Sequence, residues 1–150
     1  MSEPFCSSFR VYYEDTDAGG IVYHANYLKF CERVRSDFVR EIVGFSQRDA
    51  LKGAAQGTGH GFVMTKFNGK FIAPAQLEDL LTVSCIPYKV TPARIEIYQE
   101  VKNEAGKLLY AQRCTLAYID FARNTPMAVP LEFTSSFKQY LAPEDMVYAC

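Results

Sequence analysis

The residues best suited to chemistry lie in one run, Tyr12-Tyr13-Glu14-Asp15-Thr16-Asp17-Ala18-Gly19-Gly20-Ile21-Val22-Tyr23-His24-Ala25-Asn26-Tyr27. It gathers two aspartates, two adjacent glycines and one of the chain's two histidines. Extended-looking residues lead in and an amphipathic helical pattern leads out. An acid in a tight Gly-Gly bend would therefore face the amides of a helix start, a junction that binds or polarises a developing anion. The competing role for Asp17 is to brace the turn or cap the helix, and for His24 to sit at the surface or cap.

The elements around the bend follow from periodicity. Phe9 to Tyr13, aromatic and β-branched, predicts a first strand ending in the bend. From Asn26 to Val43, Tyr27, Phe30, Cys31, Val34, Phe38 and Ile42 recur at helical spacing, which predicts one long amphipathic helix stopped at Gly44. Gly53 to Gly61 is glycine-rich and expected to be a loop, with His60 a loop residue. Then the period drops to two. Val63, Thr65, Phe67 and Phe71 alternate with Met64, Lys66 and Lys70, and the run closes at Ala73-Pro74.

Leu81 to Ile86 predicts another strand, and Ile95 to Lys102 and Leu108 to Asp120 form a hairpin turning at Asn103 to Gly106. Phe133, Phe137 and Tyr140 suit a short final helix. The result is an α+β fold, an antiparallel sheet wrapped around one long helix. Aromatics along the strands, Phe62, Phe67 and Phe71 among them, are expected in the core or at a homodimer interface near the site.

Composition bounds the function. At 150 residues and 49% hydrophobic content, residues 1–150 suit a single domain. A formal charge of -1 gives no broad basic face, so a nucleic-acid binder is not expected. Cys6, Cys31, Cys85, Cys114 and Cys150 are scattered without a Cys-x-x-Cys pair, which predicts reduced thiols in a cytoplasmic compartment and no zinc site. The first residues lack a basic cluster and an apolar core, and no stretch approaches the roughly 18 apolar residues of a membrane span. No membrane insertion is expected.

Spacing removes several readings of the bend. Counting from Asp15, a calcium loop of the EF-hand kind would need a ligand where Gly19 stands and a Glu where Asn26 stands. The haloacid-dehalogenase-like Asp-x-Asp pattern fails at Gly19 too. Gly57, Gly59 and Gly61 make no dinucleotide fingerprint.

The run from Arg10 to Leu28 resembles the signature of the hot-dog-fold acyl-CoA thioesterases. It is most similar to the branch holding 4-hydroxybenzoyl-CoA thioesterase and the Tol-Pal-associated thioesterases. Agreement continues through Glu32-Arg33-Val34-Arg35-Ser36, Phe71-Ile-Ala-Pro-Ala75, Leu77 and Asp79, roughly residues 7 to 140 in all.

By that resemblance Asp17 is the catalytic carboxylate, attacking the thioester carbonyl or acting as general base on water. Amides near Tyr23 and His24 would receive the carbonyl oxygen as it becomes negative. The His24 side chain departs from the residue expected in the 4-hydroxybenzoyl enzyme itself. A thiol pKa of about 8.5 lets thiolate leave with little acid help, so His24 is expected to orient and activate water. Glu32 matches a helix carboxylate of the family and Tyr13 borders the cleft. Tyr23, Tyr27 and Phe62 complete the implied substrate-binding set.

The resemblance implies an acyl-CoA or acyl-carrier-protein thioester as substrate, no metal or bound cofactor, and a homodimer or homotetramer. Two alternatives stand beside hydrolysis. One is a hot-dog hydratase or dehydratase, in which the family's histidine follows its aspartate by five positions where His24 follows Asp17 by seven. The other is a non-catalytic acyl-thioester-binding protein, which has no need of a carboxylate beside the carbonyl.

Overall fold

The structure, a computed structural model, describes residues 4–52 and 59–137. In chain order the elements are β1 (Phe5–Arg10), a 3-10 turn (Tyr13–Asp15), α1 (Asn26–Phe38) running into a π-helical turn (Val39–Val43), and α2 (Gln47–Leu51). After these come β2 (His60–Phe71), β3 (Leu80–Val90), β4 (Ile95–Lys102), β5 (Leu108–Asp120), the two-residue β6 (Thr125–Pro126) and α3 (Leu131–Phe137). The sheet is antiparallel throughout, in the order β1-β3-β4-β5-β2, with β6 beside the end of β5. It curls round α1, which gives the hot-dog fold.

The expected helix forms because one stripe is apolar. Tyr27, Phe30, Cys31, Val34 and Phe38 are buried against the sheet, and fully burying a side chain of this size contributes roughly 1.5–3 kcal/mol. The helix ends as its sequence predicts: Gly44 takes the left-handed conformation at φ 74°, open to glycine at no steric cost. α3 closes the far end, Phe137 packing edge-on to Phe38 and Phe133 to Phe62.

A polar spine crosses this core. Gln99 and Gln112 are both 0% exposed, and burial of such amides is tolerated only when they are bonded. Gln99 donates to the carbonyls of Cys31 and Ser84 and accepts from Arg35 and Gln112, while Gln112 accepts from the Tyr110 hydroxyl.

Several expectations need correction. The first strand is Phe5–Arg10, not Phe9 to Tyr13, because the Asp15 carboxylate accepts the Tyr12 amide and winds Tyr13–Asp15 into the 3-10 turn. His60 is not a loop residue: it opens β2 opposite Asp120, and its Nδ1 is bonded to the Tyr118 hydroxyl. Residues 53–58 of the expected loop, and Tyr140 of the expected last helix, lie outside the described residues. β3 extends past Ile86 to Val90 and passes through Pro87 at a register shift, where a ladder tolerates proline.

The simple alternation along β2 is also overturned. A bulge between Met64 and Lys66 changes the pairing, so Met64 faces Leu116 while Phe67 faces Cys114 and Phe71 faces Tyr110. Directly opposed residues share a face. Phe62 and Met64 therefore point to the same side as Phe67 and Phe71, and Val63 to the other.

Candidate active site

The bend between β1 and α1 is a small hairpin closed by backbone hydrogen bonds. Thr16 and Val22 form an antiparallel bridge, the Asp17 amide donates to Ile21 O at 2.9 Å, and the Gly20 amide donates to Asp17 O at 3.0 Å. Gly20 sits at φ 80°, where a side chain would be strained. Ile21 bridges Gln76, and the Val22 amide donates to Ala75 O at 2.9 Å, which ties the bend to the segment following β2.

The Asp17 carboxylate is aimed by its own loop. Its Oδ1 accepts the Gly19 amide at 2.8 Å. The side chain is exposed and opens on a cavity of about 380 Å³ that it shares with Ile21, His24, Tyr27, Phe71 and Pro74. The His24 ring lies 4.4 Å from the Tyr23 ring and meets Phe71 edge-on at 6.3 Å. Tyr27 forms the floor, stacked on Tyr110 at 4.8 Å and accepting the Ala75 amide at its hydroxyl. Burial, partly offset by that hydrogen bond, raises the Tyr27 phenol above its ordinary value, so it stays neutral.

The helix start differs from expectation in one respect. The Tyr23 amide is already committed to Asp15 O at 2.9 Å. Among the described residues no acceptor is bonded to the amides of His24 and Ala25, just before the start of α1. α1 has no side-chain cap at Ala25.

Of the residues singled out from the sequence, Asp17, His24 and Tyr27 converge on this cavity, and Tyr23 flanks it through the His24 ring. Glu32 and Phe62 meet elsewhere, in a cavity of about 240 Å³ between α1, the sheet and α3 that also contains Arg35, Ser36, Ile95 and Phe133. There Ser36 donates to Glu32 Oε1 at 2.9 Å. Tyr13 is 83% exposed and lines a third groove with Arg10 and Glu78. Phe71, expected only in the core or an interface, is a wall of the Asp17 cavity, and Gly19 is the donor that aims Asp17. Among the described residues no group of His, Cys, Asp and Glu is arranged to hold a metal ion.

The family model of the Thioesterase superfamily matches residues 19–110. The chain belongs to the thioesterase superfamily. Within the thioesterases, it is 35% identical to the acyl-CoA thioester hydrolase YbgC of Escherichia coli O6:H1 over 130 residues, which cover 87% of this chain and 92% of that one. It is 35% identical to the acyl-CoA thioesterase YbgC of Haemophilus influenzae over 137 residues, covering 91% and 96%. The crystal structure of a probable thioesterase from Bartonella henselae superposes with a TM-score of 0.77 at 32% identity, covering 85% of this chain and 100% of that one. The thioesterase fold is thus present over most of its length.

Proposed function

We propose that the protein hydrolyses acyl-CoA thioesters, or those of acyl-carrier protein, to free acid and thiol, with Asp17 as the catalytic carboxylate. The convergence of Asp17 and His24 on one cavity, beside a helix start where the His24 amide has no acceptor among the described residues, carries this reading. The names of the YbgC relatives support the substrate class.

Asp17 acts as nucleophile or as general base. In the first route its oxygen bonds to the carbonyl carbon, the C–S bond breaks, thiolate leaves, and water opens the mixed anhydride. In the second it takes a proton from water, hydroxide adds, and the tetrahedral intermediate expels thiolate. Both routes place negative charge on the carbonyl oxygen, which the His24 amide receives, aided by the helix dipole. The His24 ring orients the water, and Tyr27 and Phe71 hold the group next to the carbonyl. Tyr13 and Tyr23 border the approach of the carrier arm.

Residues 1–150 act as a single hot-dog domain in a homodimer or homotetramer, joined along β2. This edge strand is twelve residues long and exposes Met64, Phe67 and Phe71 at 36%, 48% and 58%, an unpaired apolar edge that would otherwise invite aggregation. Met64 also walls the cavity of Glu32 and Phe62, so a partner docked on β2 borders that cavity and brings it into acyl binding. The thiols of Cys85 and Cys114 are free, which fits a reducing, cytoplasmic compartment. Among the described residues no helix is long and apolar enough to cross a membrane.

The test is thiol release from short aliphatic, long aliphatic and aromatic acyl-CoAs by wild type and Asp17→Asn. A loss of at least about 100-fold in the variant is expected; equal rates would remove Asp17 from the mechanism.

A further inference from the structure

Asn26 occupies an unusual place. It is the first residue of α1 and only 8% exposed, on the same buried stripe as Tyr27 and Phe30. A buried amide costs stability unless it is bonded, and asparagine is a poor residue inside a helix. As a helix cap it would belong one position earlier, at Ala25. Its partners lie instead in the bend.

The Asn26 side-chain Nδ2 donates to Asp15 O at 2.8 Å, and that same carbonyl receives the Tyr23 amide at 2.9 Å. The Asn26 main-chain amide donates to Tyr23 O at 2.8 Å. One residue thereby grips both strands of the bend at its neck. Asp15 lies two residues before Asp17, and Tyr23 one residue before His24. The clasp also keeps the Tyr23 amide on Asp15 O, next to His24, whose amide has no acceptor among the described residues.

We infer that Asn26 is a positioning residue that sets the separation between the Asp17 carboxylate and the His24 amide; this rests on the assignment of those two groups made above. Its side chain touches neither substrate nor the reacting atoms. Its effect belongs to the transition state, because only there does the carbonyl oxygen need the amide and the acid in register.

The experiment compares wild type, Asn26→Asp and Asn26→Ala. Asn26→Asp keeps the size but replaces the donor by an oxygen that repels Asp15 O, and Asn26→Ala serves if the first variant does not fold. The readouts are kcat and KM for an acyl-CoA, and the Kd of an S-alkyl-CoA thioether, which has no carbonyl. A kcat lower by about 10-fold to 100-fold is expected, the range for a displacement of about 1 Å, with KM and the thioether Kd within about threefold of wild type. Unchanged kcat in a folded variant overturns the inference. So does a loss in which the thioether Kd weakens in parallel, since that marks a collapsed cleft. Asp17→Asn separates this result from the catalytic assignment: wild-type turnover in Asp17→Asn defeats that assignment by itself. If the assignment stands, Asn26→Asp added to Asp17→Asn lowers kcat by less than the product of the two single losses; a full product counts against Asn26 acting through this site.

Discussion

The Gly19 amide and Asp17 Oδ1 lie 2.8 Å apart, and a Cβ placed on Gly19 would stand 3.1 Å from that same oxygen. The glycine both holds the carboxylate and leaves room for it. Gly19→Ala forces the Asp17 side chain to move by a few tenths of an ångström, since the exposed carboxylate yields more easily than the bridged backbone. Turnover is expected to fall by about 10-fold with little change in KM. Gly20→Ala provides the contrast: at φ 80° with open space around it, it costs roughly 1–2 kcal/mol in backbone strain. Steady-state kinetics beside thermal melts separate the two, the first variant losing rate and the second losing stability.

The edge strand gives a second prediction. Phe67 is 48% exposed at the middle of β2, and a lysine there charges the edge on which a second copy is proposed to pair. Phe67→Lys is expected to shift the protein to a monomer in sedimentation equilibrium and to lower thioesterase activity with it. A wild type that is already monomeric would defeat the proposed assembly.

A third prediction concerns the polar spine. Gln99→Leu leaves the half-buried Arg35 and the buried Gln112 amide without their shared acceptor and removes the donor to Cys31 O and Ser84 O. The expected cost is about 2 kcal/mol, a drop of roughly 4–8 °C in Tm for a chain of this size. Denaturant midpoints at constant m-value check it.

High pH should weaken the fold. Burial raises the thiols of Cys85 and Cys114 and the phenols of Tyr27 and Tyr118, with Tyr118 pushed up to about 12. The folded state binds these protons more tightly than the unfolded chain does, so this stabilisation is fully present below the ordinary thiol value of 9.0. It is lost as pH rises, first through the thiols and then, above the phenol value of 10.0, through the tyrosines. Urea midpoints measured from neutral pH upward should hold steady and then decline, and Tyr118→Phe should make the decline between pH 10 and 12 shallower.

Much of this arrangement was legible from residues alone. The apolar stripe from Tyr27 to Phe38 fixes the helix and its inward face, and the Asn103 to Gly106 turn fixes the hairpin between β4 and β5. The acidic bend drew attention to Asp17 and His24, which the structure places on one cavity. Other features were hidden for physical reasons. Tyr12 and Tyr13 have high strand propensity, yet a side-chain bond from Asp15 takes them out of the sheet. The bulge at Met64 and Lys66 leaves no mark in a period-two pattern except its failure. Helical spacing places Glu32 on a face of α1 but does not say which cavity that face borders, so its separation from Asp17 appears only in three dimensions. Asn26 looked like an ordinary helix-start residue, because its partner Asp15 is distant in sequence and offers only a backbone carbonyl.

The bulge in β2 has a consequence for how this chain can vary. Before it, the inward positions are even-numbered and Phe62 closes the core; after it they are odd-numbered and Phe71 walls the Asp17 cavity. One strand thus serves two compartments through a single change of parity. Deleting one residue near Thr65 would exchange the faces of every position on one side of the bulge, turning Phe67 and Phe71 away from Cys114 and Tyr110 or Phe62 away from Phe133. Many substitutions along β2 can be absorbed one at a time, but a change in its length by one cannot, so insertions and deletions should be confined to the turns that flank it.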